Sequence, residues 1–294
     1  MNLEKRGDLA KSEIFEIAGT LHVLMLNALF RQTRMRAPDI VFHGGTSLKV
    51  ARSSQRFSED LDFMISPEIE GKLREYIVAA HRRSKETASV LYPGCELELK
   101  GPKEGDILRW QVRWTHPNKR TAVKVKIEFM IAEAELLRRY RSVSVLPTPD
   151  LQGSVRIGTS LPVPDLISAW ADKIKAVASR PEMKWRDIYD LAYISDHLGK
   201  SRDDEAETTA VLGVGDLYRY SSTDLVNDLT TVLESGILDR LDLFEDDIRH
   251  WLHDDVWEDL QSAGLLSAML AKGKTELVRA LDIVQASLSQ EIKP

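Results

Sequence analysis

Phe42-His-Gly-Gly-Thr-Ser47, followed after ten intervening residues by Ser58-Glu-Asp-Leu-Asp-Phe63, is the stretch from which the fold can be read. An apolar run, Asp39-Ile-Val-Phe-His43, leads into it as a strand, and Leu48-Lys-Val-Ala-Arg52 continues it as a short helix. Glycine lets backbone approach a ligand closely, and N–H groups at a helix start attract phosphate oxygens. Gly44, Gly45, Thr46 and Ser47 therefore read as a nucleotide-phosphate loop, with the two hydroxyls assisting. Taken alone, Gly-Gly-Thr reads first as a tight strand-to-helix connection. The second string narrows the choice. On a strand, side chains alternate between faces, so Asp60 and Asp62 point one way and Leu61, Phe63 and Ile65 the other. Two neighbouring carboxylates repel unless a cation lies between them, and hard divalent ions that carry nucleotide phosphates take such ligands. Asp60 and Asp62 read as a metal pair for Mg²⁺ or Mn²⁺ with a nucleoside triphosphate as substrate.

Working outward, the pattern predicts a helix over 8–35, strands at 39–43 and 59–65 around a helix at 46–54, and a helix from Ser66-Pro67 to about 87. Proline is tolerated there because the first helical N–H has no partner to lose. Strands follow near 95–100, 107–116 and 121–130. They are separated by Gly101-Pro102 and by Thr115-His-Pro-Asn-Lys119, whose turn chemistry suggests a hairpin. Short strands are expected near 143–146 and 154–158. After Leu161-Pro-Val-Pro-Asp165 the pattern turns helical: 165–179, 184–198, 203–213, 222–235, 238–253 and 255–290 with breaks. The fold class is α/β (α+β), a mixed sheet with flanking helices and then a helical C-terminal half. The division falls at 1–160, catalytic, and 161–294, helical.

The strand Thr121-Ala-Val-Lys-Val-Lys-Ile-Glu-Phe129 alternates as well, with Lys124, Lys126 and Glu128 on one face. Those residues form either a solvated polar face or an extension of the site. Lys173 and Arg180 lie seven apart on one predicted helix and share a face, and Asp187 and Asp190 stand one turn apart on the next. Arg186 and Asp190 are also spaced for an ordinary ion pair.

The 294 residues are 43% hydrophobic, enough for one large core or two smaller ones. The single cysteine, Cys95, excludes an internal disulfide and fits a reducing cytoplasm. The N-terminal residues show no signal pattern, and Leu21–Phe30 is too short and polar to span a bilayer, so no membrane is expected. The net charge of −6 is unevenly placed: residues 201–294 carry 20 acidic against 8 basic side chains, and residues 1–200 carry 26 against 32. The resulting +6 of the first part suits an RNA backbone.

Gly44-Gly45-Thr46 followed by Asp60-Leu-Asp62-Phe63 resembles the signature of polymerase-beta-like nucleotidyltransferases. The fuller strings, with Arg56-Phe-Ser-Glu ahead of the acids, Asp172-Lys173 and Arg180, and Arg186-Asp187-Ile-Tyr-Asp190 later, resemble the AbiEii/AbiGii toxin family, which includes MenT-type toxins. The resemblance implies a polymerase-beta-like mixed sheet and a toxin that moves a nucleotide from an NTP to RNA, with the 3′ end of tRNA as acceptor. It implies a cognate antitoxin as partner. It assigns Asp60, Asp62, Lys173 and Asp187 to catalysis and Arg180 to the nucleotide, and it suggests Glu128 as a third metal carboxylate. Ser58, two residues before Asp60, is a candidate regulatory position where a phosphate would oppose Mg²⁺ and nucleotide binding, or a residue that merely begins the strand.

Other residues read as ordinary. His43 packs or bonds backbone; His250 and His253 beside Asp254 lack a third ligand at helical spacing. The six tryptophans are core candidates, although Trp185 could stack a base. The rival functions are a nucleotidyltransferase acting on a small molecule or protein, and a noncatalytic binding module of the same fold.

Overall fold

Period-two apolar runs build the central sheet. In a computed structural model that describes residues 7–32, 35–103, 105–147 and 155–291, strands β1 (Ile40–His43), β2 (Asp60–Ile65), β3 (Glu96–Lys103), β4 (Ile107–Thr115) and β5 (Val123–Ile131) stand in the order β1-β2-β5-β4-β3. Only β2 and β5 run parallel; the other neighbours are antiparallel. The apolar face carries Leu61, Phe63, Val125, Ile127, Phe129 and Trp110, all buried. Helix α1 (Lys11–Gln32) lies on that face, with the Phe30 and Phe63 rings 6.1 Å apart, and α3 (Pro67–Leu91) packs on α1. The opposite face presents Asp60 and Asp62, then Lys124, Lys126 and Glu128, then Arg109, Gln111 and Arg113.

Several expectations need correction. Gly101-Pro102 does not end a strand: β3 runs through it, and the register with β4 shifts between Lys100 and Lys103, as a bulge does. No strand occupies 155–158; residue 154 lies outside the described residues. The strand is instead β7 (Leu161–Pro164), paired with β6 (Ser142–Val145). A two-stranded sheet leaves one edge of each strand unpaired, so prolines that read as breakers are tolerated there. A short helix, α4 (Ala134–Arg139), was not expected. Helix α1 lies within the helix expected over 8–35; its stretch Lys11–Arg31 is long and apolar enough to cross a membrane by composition, yet 67% of its most apolar window is buried inside the protein.

The chain divides into two units, the first made of Met1–Ser53, Phe57–Leu137 and Val143–Val163, the second of Ser54–Arg56, Arg138–Ser142 and Pro164–Pro294. The second is helical: α5 (Leu166–Ser179), α6 (Trp185–Leu198), α7 (Asp204–Tyr218), α8 (Ser222–Glu234), α9 (Leu241–Trp251), α10 (Asp254–Ser262) and α11 (Leu265–Glu291). Its core gathers Trp170, Ile188, Leu191, Phe244 and Leu277. Glu207, fully buried, is held by Arg202 and Arg279, and Arg202 also reaches Glu276 at 2.5 Å, which ties α7 and α11 together.

His22, on α1, is buried and lies 3.0 Å from the Glu59 carbonyl through Nε2. A carbonyl only accepts, so the neutral ring carries its proton on Nε2. Burial pushes its pKa from 6.5 down to about 4. The unfolded chain therefore binds more protons in this window, and stability present above pH 6.5 is lost as pH falls toward 4. Urea titrations of His22→Asn and wild type should diverge by about 3 kcal/mol across that window, wild type falling faster. Parallel curves would refute a buried neutral His22.

Candidate functional site

The site in the first unit is built where β1 turns into α2 (Gly44–Arg52) beside β2. His43 caps the helix in extended conformation, and Gly44 follows with φ +77°, a left-handed backbone that favours glycine. A Cβ at Gly44 would stand 2.4 Å from Asp62 Oδ2. The helix start is thus laid directly against one carboxylate, and only glycine permits it. Thr46 donates its hydroxyl to the Asp60 carbonyl, and Ser47 donates to the Gly44 carbonyl at 2.8 Å. Both residues are buried. The Thr46 hydroxyl thus ties the turn to β2, and the Ser47 hydroxyl closes the turn on itself. The first-turn N–H groups, which have no partner within a helix, remain the anion-facing groups.

Asp60 pairs across the parallel ladder with Lys126, whose Nζ is 3.4 Å from both carboxylate oxygens. That ammonium balances the charge, but Asp60 Oδ1 is buried without a hydrogen bond. Asp62 stands opposite Glu128, and Glu128 opposite Arg109. The Glu128 carboxylate accepts from the Arg109 guanidinium, which Glu128 first, and Asp60 and Asp62 more weakly, hold in its charged form. Glu128 is therefore neighbour to the pair but engaged elsewhere. Among the described residues no three His, Cys, Asp or Glu side chains are grouped to hold a metal, which applies to Glu128 and to His250 and His253 alike. Two aspartates still fit a Mg²⁺ or Mn²⁺ ion carried in with phosphates, which typically uses one or two carboxylates. An orphaned buried Asp60 oxygen and an Asp62 oxygen in a glycine cradle are the donor set such an ion takes.

Ser58 is buried and precedes the first residue of β2 by two. Strand alternation does not extend to it, so the expected shared face with Asp60 and Asp62 has no regular strand beneath it. Phe57, stacked on Phe15 with centroids 4.1 Å apart, fixes this approach segment.

In the second unit, α5 begins at Asp165, whose side chain accepts from the Ser168 N–H at 2.8 Å. About two turns further on, Lys173 Nζ lies 2.7 Å from Asp187 Oδ1 and 2.7 Å from Asp190 Oδ2. Arg56 grips Asp190 with two bonds, at 2.9 and 2.6 Å, and Arg180 donates to Asp187. Three cations alternate with two anions, so the cluster keeps one net positive charge. Burial alone would push the Asp190 carboxyl up, but Arg56 and Lys173 overcome it and hold it at about 2. Burial would likewise lower Lys173, and Asp187 with Asp190 keeps it raised and charged. Next to it, burial pushes Asp172 up to about 6 against hydroxyls donated by Tyr140 and Tyr218 at 2.5 and 3.2 Å.

Asp190 thus pairs with Arg56 and Lys173, not with Arg186, whose guanidinium lies 4.8 Å from the Trp251 ring centroid. Trp185 is buried edge-on against Phe244 and offers no stacking face. Arg56 is the participant that pattern reading left without a role. Its only signal is membership of the Arg56-Phe-Ser-Glu-Asp60 string.

A Gly-Gly helix start set against Asp-x-Asp on a mixed sheet defines the nucleotidyltransferase class. A family profile described as nucleotidyl transferase AbiEii toxin, type IV toxin–antitoxin system, matches residues 27–259, and the chain belongs to that family. Solved structures similar to this one include JHP933 from Helicobacter pylori, with 16% identity, TM-score 0.51 and coverage of 95% of this chain and 96% of that one. MenT4, the nucleotidyltransferase toxin Rv2826c from Mycobacterium tuberculosis H37Rv, shows 20% identity, TM-score 0.48 and coverage of 94% and 95%. A putative nucleotidyltransferase from H. pylori shows 16% identity, TM-score 0.45 and coverage of 95% and 99%. Comparison with curated proteins gives no match.

Proposed function

We propose that this toxin transfers a nucleotide from an NTP to RNA, with the 3′ end of a tRNA as acceptor, and so blocks translation and growth in the cytoplasm until a cognate antitoxin relieves it. The observation that carries the reading is Asp62 seated against Gly44 at the start of α2, with Asp60 beside it on β2. A divalent ion such as Mg²⁺ or Mn²⁺, held by Asp60 and Asp62, supplies charge neutralisation at the reacting phosphate. The main-chain N–H groups of Gly45 and Thr46 would hold the β and γ phosphates, so that an acceptor hydroxyl attacks the α-phosphate in line, a new O–P bond forms and pyrophosphate leaves. An RNA acceptor is favoured over a small cationic molecule because the same sheet face continues into Lys126, Lys124 and Arg113. Family resemblance gives Lys173 and Arg180 to triphosphate charge and Asp187 to the acceptor; within the helical unit these three hold one another in place.

The test is incubation of purified protein and Mg²⁺ with each labelled NTP and total cellular RNA. Label is expected in tRNA-sized RNA and is expected to vanish when 3′ ends are blocked. Label on protein or small molecules overturns the acceptor, and none with any NTP overturns the activity. We read Ser58 as a regulatory position: Ser58→Asp, bringing a negative charge toward the pair, should silence transfer and toxicity while Ser58→Ala stays active. An active, toxic Ser58→Asp protein removes that role.

A further inference from the structure

On the helical layer of the first unit, across the sheet from Asp60 and Asp62, three arginines converge on one cavity. Arg31 comes from the end of α1, Arg83 from α3, and Arg156 from the segment ahead of β7, and the cavity between them measures about 310 Å³. Their convergence is built rather than incidental. Asn27 clamps the segment carrying Arg156, donating to the Arg156 carbonyl at 2.7 Å and accepting from the Gly158 N–H at 3.0 Å. The Arg31 guanidinium is seated on Gly158, where a Cβ would stand 2.4 Å from Nη2. Ser84, adjacent to Arg83, reaches Met25 Sδ at 3.2 Å and fixes α3 against α1. Among the described residues none of the three arginines has a carboxylate partner. Three arginines lining one cavity give it a surplus of positive charge that an anion would offset, and their planar forks match phosphate oxygens. The rest of the lining is mixed: Asn27, Ser84 and Thr87 are polar, and Leu24, Ala28 and Val155 form an apolar patch, with Leu24 and Ala28 buried. A pocket of this size, cationic and polar with one apolar patch, has the dimensions of a small-molecule site.

We propose that the Arg31, Arg83 and Arg156 pocket binds a phosphorylated small molecule of nucleotide size, its phosphates among the guanidinium groups and its less polar part on Leu24 and Ala28. This ligand sits apart from the Asp60 and Asp62 face, and its binding does not depend on the proposed transfer chemistry.

The test uses the full chain with Mg²⁺ removed by chelation, in the Asp60→Asn/Asp62→Asn background, so that the other face is silent. Calorimetric titration with pyrophosphate and with ADP is expected to show one site, with Arg83→Gln and Arg156→Gln each weakening it about tenfold or more. ADP should bind more tightly than pyrophosphate through the apolar patch of Leu24, Ala28 and Val155. Arg82→Gln, which removes the same charge one position along α3, should leave affinity within about twofold, and all three single variants should melt as wild type does. No binding, or equal losses in Arg82→Gln and Arg83→Gln, overturns the proposal. So does competition by an RNA oligomer lacking terminal phosphate at a matching concentration, which would make the pocket a backbone contact. Because the titrations are read in a transfer-silent background, a failed pocket and a failed transfer reading are distinguished, and where wild type transfers, Arg83→Gln is expected to transfer equally.

Discussion

Asp60→Asn and Asp62→Asn are each expected to lower labelled-nucleotide transfer by at least about a thousandfold, since a metal acting as Lewis acid supplies several kcal/mol and 1.36 kcal/mol is tenfold in rate. The fold should survive. Asp60 carries a buried oxygen without a hydrogen bond, and Asp62 lies beside it on the strand, so removing a charge relieves repulsion in the ligand-free protein. Melting temperatures equal to or above wild type, with transfer lost, are the expected pair of readings. Near wild-type transfer by either variant would refute the metal assignment, and loss of transfer together with unfolding would show the carboxylates to be structural.

The second large effect is on stability. Asp190→Ala leaves Arg56 and Lys173 buried with one fewer anion, and removing one partner of a buried ion pair typically costs about 3–5 kcal/mol. Urea denaturation should show the loss directly. Its pH dependence has a definite sign. The Asp190 carboxyl is held near 2, below its ordinary 3.8, so the stability it contributes is complete above 3.8 and declines as pH falls toward 2. The variant should show a shallower decline over that interval. A variant within about 1 kcal/mol of wild type would mean that the cluster is wetter than its burial indicates.

What the sequence discloses and what it conceals divides by distance along the chain. The alternation that puts Asp60 and Asp62 on one face, the strand-to-helix turn at Gly44 and the helical second half are local patterns, visible in windows of ten or twenty residues. The Arg56–Asp190 pair joins residues 134 positions apart, and nothing in either neighbourhood announces the other. Arg186 with Asp190 looked like the natural pair by helical spacing; burial decided otherwise, because a buried carboxylate takes the partners that are buried with it. The same holds for Glu128, whose strand position was legible while its engagement by Arg109 depends on a register two strands wide. Prolines misled in the opposite direction: Leu161-Pro-Val-Pro164 read as punctuation because sequence does not reveal that its strand has only one neighbour.

The hydroxyls of Thr46 and Ser47 face backbone carbonyls, so within residues 44–47 the proposed phosphate grip consists of main-chain N–H groups. Such a grip recognises a chain of phosphates and is blind to the base attached to it. Choice among the four nucleotides then falls to residues outside 44–47, and a descendant of this protein could exchange its preferred nucleotide through substitutions there while the turn that anchors the chemistry stays unaltered.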